Sequence, residues 1–301
     1  MKFKLMSAVV GTAACVTVCP FCVSGEKQCK ENMIQPEVNW RNFDIACKLA
    51  NRSGVDTVML TGRGEPTLFP DQITDYLEHL QPYGIPFVEL QTNAVPLENF
   101  KKYESYLRTW YDLGLTTITI SVVSNISAIN REIYTPQRKS YINLEQIIEN
   151  LHKIGFSVRL TCICTKEWMS TEQQILDFID YCKLNKVEQI TLRPLNDEFR
   201  RETAKKWIDE HKMTIDDKED IRSLLMRKGL KLLDLDRIGE VYDVDDQNVM
   251  FSHPLTAKTI NTDPDNGRQL IFFQDGKIAY EWEHNGGRLL WKFIMNIMII
   301  N

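Results

Sequence analysis

The pattern that decides the fold is clearest in residues 54–66, which read GVDTVMLTGRGEP. A glycine follows a helix-like segment, an apolar and β-branched run comes next, and a loop with two further glycines and a carboxylate ends the stretch. Glycine readily adopts the left-handed backbone conformation that closes a helix, after which the chain can enter a strand. Residues 54–66 therefore predict a helix end, a buried strand and a loop whose backbone a ligand can approach.

The same succession of helix, turn residue and strand recurs along most of the chain. Glycines precede the runs 86–90, 116–123 and 157–163, and Asn185 precedes the run 188–192. Segments 38–52 and 173–184 carry apolar residues at helical spacing. With 5–14 as a first strand, six strands alternate with helices over roughly residues 4–195. This alternation predicts a parallel sheet with right-handed crossovers, in either a doubly wound sheet or a barrel.

Directly after the predicted first strand, residues 15–22 read CVTVCPFC. Closely spaced thiolates of this kind hold iron–sulfur clusters. Three cysteines are one fewer than a four-iron cluster ordinarily uses, so such a cluster on Cys15, Cys19 and Cys22 would keep one iron open for a ligand. The alternative is a structural zinc site with Cys29 as the fourth ligand. Four cysteines elsewhere are expected to be buried core thiols: Cys47, Cys162, Cys164 and Cys182.

Polar loops are expected to meet these cysteines at one edge of the sheet. The loops that follow parallel strands gather at the strands' carboxyl ends, where ligands bind. The Gly62-to-Pro66 loop follows strand two, Asn93 follows strand three, and Ser121 closes strand four. The cysteines therefore lie one strand away from a glycine-rich loop with a carboxylate.

Taken together, these motifs resemble the radical S-adenosylmethionine (SAM) superfamily. The resemblance is carried by the cysteine spacing, by Phe21 before the third cysteine, and by the Gly64-Glu65-Pro66 turn. It implies a partial (β/α)6 TIM-like barrel in which Cys15, Cys19 and Cys22 hold three irons of a [4Fe-4S] cluster. The fourth iron would bind the amino and carboxylate groups of SAM. Many family members have two consecutive glycines before the glutamate, where Arg63 intervenes here.

The resemblance also implies cofactor contacts for seven residues: Phe21, Gly62, Gly64, Glu65, Asn93, Ser121 and Arg159. Gly64 and Glu65 would contact the methionine ammonium, Ser121 the ribose hydroxyls and Phe21 the adenine side. Asn93 and Arg159 would face the rim or the barrel interior, in contact with cofactor or substrate.

The function implied is reductive cleavage of SAM to a 5′-deoxyadenosyl radical, which removes hydrogen from a small-molecule or peptide substrate. An electron donor such as flavodoxin or ferredoxin would supply the reducing electron. No residue is singled out as a catalytic acid or base. Two alternatives stay open: an activase that installs a glycyl radical on a partner protein, and a non-enzymatic zinc-stabilised binding protein.

Composition limits the class of protein. Of 301 residues, 43% are hydrophobic and 26% charged, which is typical of a globular protein with a sizeable core. A net charge of −5 gives no broad attraction to nucleic acid or anionic membranes. Residues 1–15 imitate a lipoprotein signal, but we interpret 5–14 as a strand and expect a cytoplasmic protein.

The carboxyl-terminal third is expected to be an α+β extension. We divide the chain into a barrel core, 1–196, and an extension, 197–301, that caps the barrel and shapes the substrate pocket. The extension begins with a charge-dense helical stretch, followed by a strand at 230–235 and a hairpin over 269–282 that turns at Asp275-Gly276. The apolar segment 289–300 is too short to span a bilayer and is predicted to be a docked helix.

Overall fold

Six parallel strands form the centre of the structure, a computed structural model that describes residues 2–22, 33–195, 202–235, 238–253, 266–280, 282 and 287–290. These strands are β1 (Lys2–Val9), β2 (Thr57–Thr61), β3 (Phe87–Thr92), β4 (Thr117–Val122), β5 (Ser157–Cys164) and β6 (Gln189–Pro194). They pair in chain order, and every pairing is parallel. A doubly wound sheet reverses its strand order at a switch point, whereas strands of a barrel follow one another without reversal. The central sheet has barrel topology.

Six helices lie between these strands, two of them between β4 and β5: α1 (Trp40–Arg52), α2 (Pro70–Leu80), α3 (Phe100–Asp112), α4 (Ser127–Tyr134), α5 (Leu144–Ile154) and α6 (Glu172–Leu184). Successive strand residues point to opposite faces of a sheet. Leu60, Leu90 and Ile120 are fully buried in the hydrophobic core with helix residues such as Trp110. The neighbouring positions on the strands carry polar residues, so the face turned away from this core is polar.

The chain after β6 extends the sheet at both ends. Helices α7 (Glu202–His211) and α8 (Ile215–Lys228) lead into β7 (Leu230–Asp234), β8 (Gly239–Val244) and β9 (Gln247–Ser252). Strand β9 pairs in parallel with β6. At the other end, β10 (Asn266–Phe272) pairs in parallel with β1, followed by β11 (Ile278–Ala279) and β12 (Arg288–Leu290). The outermost strands of the described sheet are β12 and β7, so the barrel is partial.

The predicted fold class is thus confirmed, both for the partial barrel and for the α+β extension. The boundary between 1–196 and 197–301 stays a prediction, since the sheet continues from β6 into β9 without a break. The predicted hairpin is present: β10 pairs antiparallel with β11, and the amide of Gly276 donates to the carbonyl of Phe273 over 2.8 Å. The strand predicted at 230–235 corresponds to β7.

The first strand ends earlier than predicted. Strand β1 stops at Val9, and Gly11 takes a left-handed conformation with φ +66°. The ring of Phe69 occupies the space that a Cβ at Gly11 would fill, so packing fixes this turn. Residues 10–14 therefore belong to the loop that carries the cysteines and not to the strand.

Two further expectations differ from the structure. Asn185 has φ −92°, and the left-handed residue before β6 is Lys186, with φ +57°. The predicted docked helix over 289–300 begins instead as strand β12, which ends at Leu290, while residues 291–301 lie outside the described part of the chain. Pairing with β11 competes successfully with helix formation at Leu289 and Leu290.

Candidate active site

The three predicted cluster ligands lie in residues 10–22, here called the tripod loop, which follows β1 at its carboxyl end. The buried hydroxyl of Thr17 is 3.1 Å from the Cys15 sulfur and 3.4 Å from the Cys19 sulfur. The amide of Cys22 donates to the carbonyl of Cys19 over 3.2 Å. Cys22 is exposed, whereas Cys15 and Cys19 are half-buried. The loop groups its thiols through Thr17, a residue that sequence reasoning did not single out.

Residues 62–66, here called the carboxylate loop, pack directly against the tripod loop. The amide of Glu65 donates to the carbonyl of Ala14 over 2.8 Å. A Cβ at Gly64 would overlap this same carbonyl, and a Cβ at Gly62 would lie 2.8 Å from the carbonyl oxygen of Val10. The close backbone approach requires glycine at both positions.

The Glu65 carboxylate is buried and accepts four hydrogen bonds. One oxygen accepts from the amide of Thr67 (3.0 Å), from the Thr67 hydroxyl (2.7 Å) and from the Thr92 hydroxyl (2.5 Å). The other accepts from the amide of Asn93 over 2.8 Å. Burial raises the pKa of Glu65, while the hydrogen bonds act to lower it. The carboxylate thereby ties the loop after β2 to the end of β3.

Asn93 reaches the tripod loop from the end of β3. Its amide nitrogen is 3.6 Å from the Cys15 sulfur and 3.4 Å from the Thr17 hydroxyl, and its side-chain oxygen accepts from the amide of Val95 over 3.0 Å. The structure therefore brings together Asn93, the carboxylate loop and two of the predicted ligands.

Aromatic side chains from two helices enclose Phe21. Its ring contacts Tyr134, at the end of α4, edge-on with centroids 6.1 Å apart, and Trp207 of α7 at 5.6 Å. The amide of Val18 donates to the carbonyl of Tyr134 over 2.9 Å, and the rings of Tyr134 and Tyr141 stack at 6.4 Å. Residues 134–141 are called the tyrosine segment below. Sequence reasoning missed these aromatics because nothing in their local pattern separates them from core residues.

The other two predicted contacts lie on the concave face of the sheet. Ser121 is half-buried and pairs in register with Thr161 of β5. Arg159, the third residue of β5, forms an ion pair with the buried carboxylate of Glu89 and donates from Nε to the Gln189 side chain over 2.8 Å. We call Glu89, Arg159 and Gln189 the barrel floor. A cofactor contact by Arg159 stays a prediction, since its guanidinium is already bonded within this floor.

The donor set of the tripod loop fits a cluster better than a single metal ion. Among the described residues, no three acidic, histidine or cysteine side chains converge on a point that could hold one ion. In a four-iron cluster each thiolate binds a different iron, so separated thiols are suitable. Burial raises the pKa of the Cys19 thiol to about 12, so a bound metal must displace its proton. Cys29, the predicted fourth zinc ligand, lies outside the described residues.

The remaining cysteines behave as predicted. Cys47, Cys162, Cys164 and Cys182 are fully buried in the hydrophobic core. Cys162 and Cys164 lie on the helix-covered face of β5, opposite to the face that carries Arg159. They are core thiols and do not line the concave face.

Residues 9–182 match the radical SAM superfamily, a span that holds all three cysteines of the tripod loop and the carboxylate loop. The chain belongs to this superfamily. It is an enzyme whose cofactors are a [4Fe-4S] cluster and SAM. The alternative of a non-enzymatic zinc-binding protein is therefore wrong.

Solved structures share the fold at low sequence identity. SuiB of Streptococcus suis, bound to S-adenosylmethionine, is 15% identical with a TM-score of 0.59, over 93% of this chain and 58% of that one. Native anSMEcpe with bound AdoMet is 11% identical with a TM-score of 0.62, over 95% of this chain and 76% of that one. Methylornithine synthase (PylB) is 12% identical with a TM-score of 0.52, over 88% and 77%. The chain thus spans little more than half the length of SuiB.

A search of curated proteins finds no match to this chain. Within the described residues, no helix has the length and apolar character needed to cross a membrane.

Proposed function

We propose that Cys15, Cys19 and Cys22 hold three irons of the cluster, so that the fourth iron is open to the amino and carboxylate groups of SAM. A cluster bound there would supply one electron for the reductive cleavage of the C5′–S bond of SAM, with release of methionine, and would so provide the radical that removes a hydrogen atom from the substrate. The observation that carries this proposal is the grouping of two of these thiols around Thr17, directly against Gly64 and Glu65.

The residues of the chain bind and orient SAM and keep water away. The carboxylate loop is held against the tripod loop by the bond from Glu65 to Ala14, and we assign it to the methionine end of SAM. We assign Ser121 to the ribose and Phe21 to the adenine. Because Phe21 lies between Tyr134 and Trp207, the adenine side of the site is apolar. An enclosed apolar wall excludes water and protects a reactive intermediate from side reactions.

We assign the substrate to the concave face of the sheet and propose a polar small molecule or a peptide. This face carries Gln91, Ser121 and Thr161, and Arg193 of β6 lies on it with an exposed side chain. Although solvent reaches this side chain, burial on the concave face lowers the pKa of Arg193, and the negative charge of Glu89 opposes that change. A guanidinium on this face favours a substrate with an anionic group, since it recognises carboxylates and phosphates well.

The reaction requires an electron donor, and we propose a flavodoxin or ferredoxin. Cys22 is exposed, so we expect a cluster on this residue to lie near the protein surface, which suits electron entry from such a partner. Seven cysteines among the described residues form no disulfide, which suits the reducing cytosol, where we propose that the protein acts.

Anaerobic reconstitution with iron and sulfide tests the proposal. We expect the wild-type chain to gain the brown absorption of an iron–sulfur cluster and to form 5′-deoxyadenosine from SAM and dithionite. Cys19→Ala should lose both properties. Cys182→Ala, which removes a thiol buried elsewhere in the core, should retain both. Cluster formation and SAM cleavage by Cys19→Ala at the wild-type level would show that Cys19 is not a ligand.

The origin of the hydrogen atom that enters 5′-deoxyadenosine distinguishes the proposed enzyme from the alternative, a glycyl-radical activase. Deuterium that enters 5′-deoxyadenosine from a labelled small molecule or peptide supports the proposal. Deuterium that enters it from a glycine of a folded partner protein supports the activase.

A further inference from the structure

Buried hydroxyl groups without a partner are concentrated beside the tripod loop. In the described part of the chain, four buried side-chain atoms lack a hydrogen-bond partner, and all four are hydroxyls: Thr119, Tyr134, Thr135 and Tyr141. Three of them belong to the tyrosine segment, 134–141. A buried hydroxyl without a partner costs free energy, so native proteins nearly always satisfy such groups. Their concentration in eight residues indicates that a group from outside the chain completes this region.

The tyrosine segment contacts the tripod loop directly. The carbonyl of Tyr134 accepts from the amide of Val18, and the ring of Tyr134 packs against Phe21. These contacts involve residues on either side of Cys19. The ring of Tyr141 stacks on that of Tyr134. Tyr134 therefore borders the loop that holds Cys19, and Tyr141 is its neighbour.

Both phenols are buried and protonated. Burial is the main cause that raises the pKa of Tyr134 and of Tyr141. The two hydroxyls lack a partner among the described residues, so they gain free energy by donating to an acceptor. Thiolate and sulfide atoms of a bound cluster are acceptors of this kind.

We propose that the hydroxyls of Tyr134 and Tyr141 donate hydrogen bonds to cluster sulfur atoms on the Cys19 side and thereby raise the reduction potential of the cluster. The inference rests on the proposed function, because it requires the cluster on the tripod loop. Reduction adds negative charge to the cluster, so a hydrogen bond to its sulfur stabilises the reduced state more than the oxidised state. A higher potential makes the cluster easier to reduce by a flavodoxin or ferredoxin.

The test is a potentiometric titration of reconstituted protein, followed by the EPR signal of the reduced cluster. We expect Tyr134→Phe and Tyr141→Phe each to lower the equilibrium constant for reduction. The double variant should lower it about tenfold, which is ~59 mV for one electron. Tyr242→Phe is the matched control, since its buried hydroxyl already donates to Glu240 over 3.2 Å on β8. Its cluster should have the wild-type potential.

Thermal stability supplies a second readout that a purely structural role would not reproduce. In the cluster-free protein, removal of an unpaired hydroxyl should leave the free energy of unfolding unchanged or raise it. In the reconstituted protein the same change removes a hydrogen bond, so the stabilisation gained from the cluster should fall. Tyr242→Phe should lower stability equally in both forms, because its partner Glu240 belongs to the chain.

The outcomes separate this inference from the proposed function. If the wild-type chain assembles no cluster, the proposed function fails. If the wild-type chain and both tyrosine variants assemble clusters of equal potential, the hydrogen bonds do not exist and only the inference is wrong. Equal destabilisation of the cluster-free and reconstituted variants would overturn it as well, since the hydroxyls would then have partners, such as buried water, without the cluster.

Discussion

At the barrel floor, charged groups pair with one another, whereas at the mouth, the end of the barrel where the tripod loop lies, buried hydroxyls lack a partner within the described part of the chain. Arg159 is bonded to both Glu89 and Gln189 on the floor. At the mouth, the tripod loop presents three thiols, and the neighbouring tyrosine segment holds three buried hydroxyls that lack partners among the described residues. The ion pair of the floor forms as the chain folds, whereas we propose that the hydroxyls of the mouth find a partner only in a bound group. The difference agrees with the proposed position of the cluster.

The carboxylate loop lies at the mouth, but its side-chain hydrogen bonds are satisfied as they are at the floor. Glu65 is fully bonded to Thr67, Thr92 and Asn93, so its side chain acts first as a structural link between strands. Its backbone, however, is bonded to the tripod loop at Ala14. The carboxylate loop thus fixes the position of the tripod loop relative to the end of β3.

The largest effect is expected for Gly64→Ala. The new methyl group would overlap the carbonyl of Ala14 and displace the tripod loop from the carboxylate loop. Insertion of a methyl group into a tight site costs about 1–3 kcal/mol, so iron binding should weaken about tenfold or more. The measurement is iron per chain after reconstitution at limiting iron. Gly84→Ala is the control for backbone strain alone, because Gly84 has φ +58° but nothing lies within 4 Å of its added Cβ, so its iron binding should equal that of the wild type. Equal iron binding in the two variants would mean that the two loops do not depend on each other.

Glu65→Gln should have the next largest effect. An amide in place of the carboxylate presents an NH₂ group to donors that now bond to Glu65, so a buried donor is left unsatisfied. The cost is about 2–3 kcal/mol for the loss of hydrogen bonds to a charged acceptor. Urea denaturation of the cluster-free protein measures it. If stability is unchanged but the Kd for SAM rises in the reconstituted protein, Glu65 acts on the SAM ammonium and not as a structural link.

Glu89→Gln should destabilise the floor and leave the mouth intact. Removal of the carboxylate leaves the Arg159 guanidinium without its counter-charge, at a cost of about 2 kcal/mol for this partly buried pair. Thermal melting should show the loss, whereas iron content after reconstitution should equal that of the wild type. Glu104→Gln removes the exposed ion pair with Arg108 and should cost less than about 0.5 kcal/mol. A cluster lost in Glu89→Gln would contradict the separation of floor and mouth.

The smallest effect is expected for Thr119→Val. The Thr119 hydroxyl is buried on β4 without a partner, so its replacement by a methyl group should change the free energy of unfolding by less than about 0.5 kcal/mol. The same substitution at Thr92, whose hydroxyl donates to Glu65, should cost about 1–2 kcal/mol. Urea denaturation of both variants gives the comparison. Equal costs would show that Thr119 has a partner, and the unpaired hydroxyls would then be confined to the tyrosine segment.

The sequence was sufficient for the features that are local in the chain. The strand runs after Gly54, Gly84, Gly114 and Gly155 are correct, and all four glycines have positive φ. The tripod loop and the carboxylate loop were found because their motifs are compact. Asn93 was predicted at the rim because it follows a strand in a parallel sheet.

Features that depend on distant contacts could not be predicted in this way. The pairing of β10 with β1 joins residues more than 260 positions apart, and no local pattern encodes it. Trp207 contacts Phe21 only because α7 folds back to the mouth. Tyr134 and Tyr141 look like ordinary core aromatics in the sequence, and only their unpaired hydroxyls in the folded chain distinguish them.

The central claim is that the tripod loop holds a cluster with one iron open to SAM. EPR spectroscopy of the reduced, reconstituted protein with and without SAM tests it most directly. We predict the signal of a reduced [4Fe-4S] cluster whose g-values and line shape change when SAM is added, since SAM binds to the open iron. A cluster signal that SAM leaves unchanged, or the absence of any cluster signal, would contradict the account.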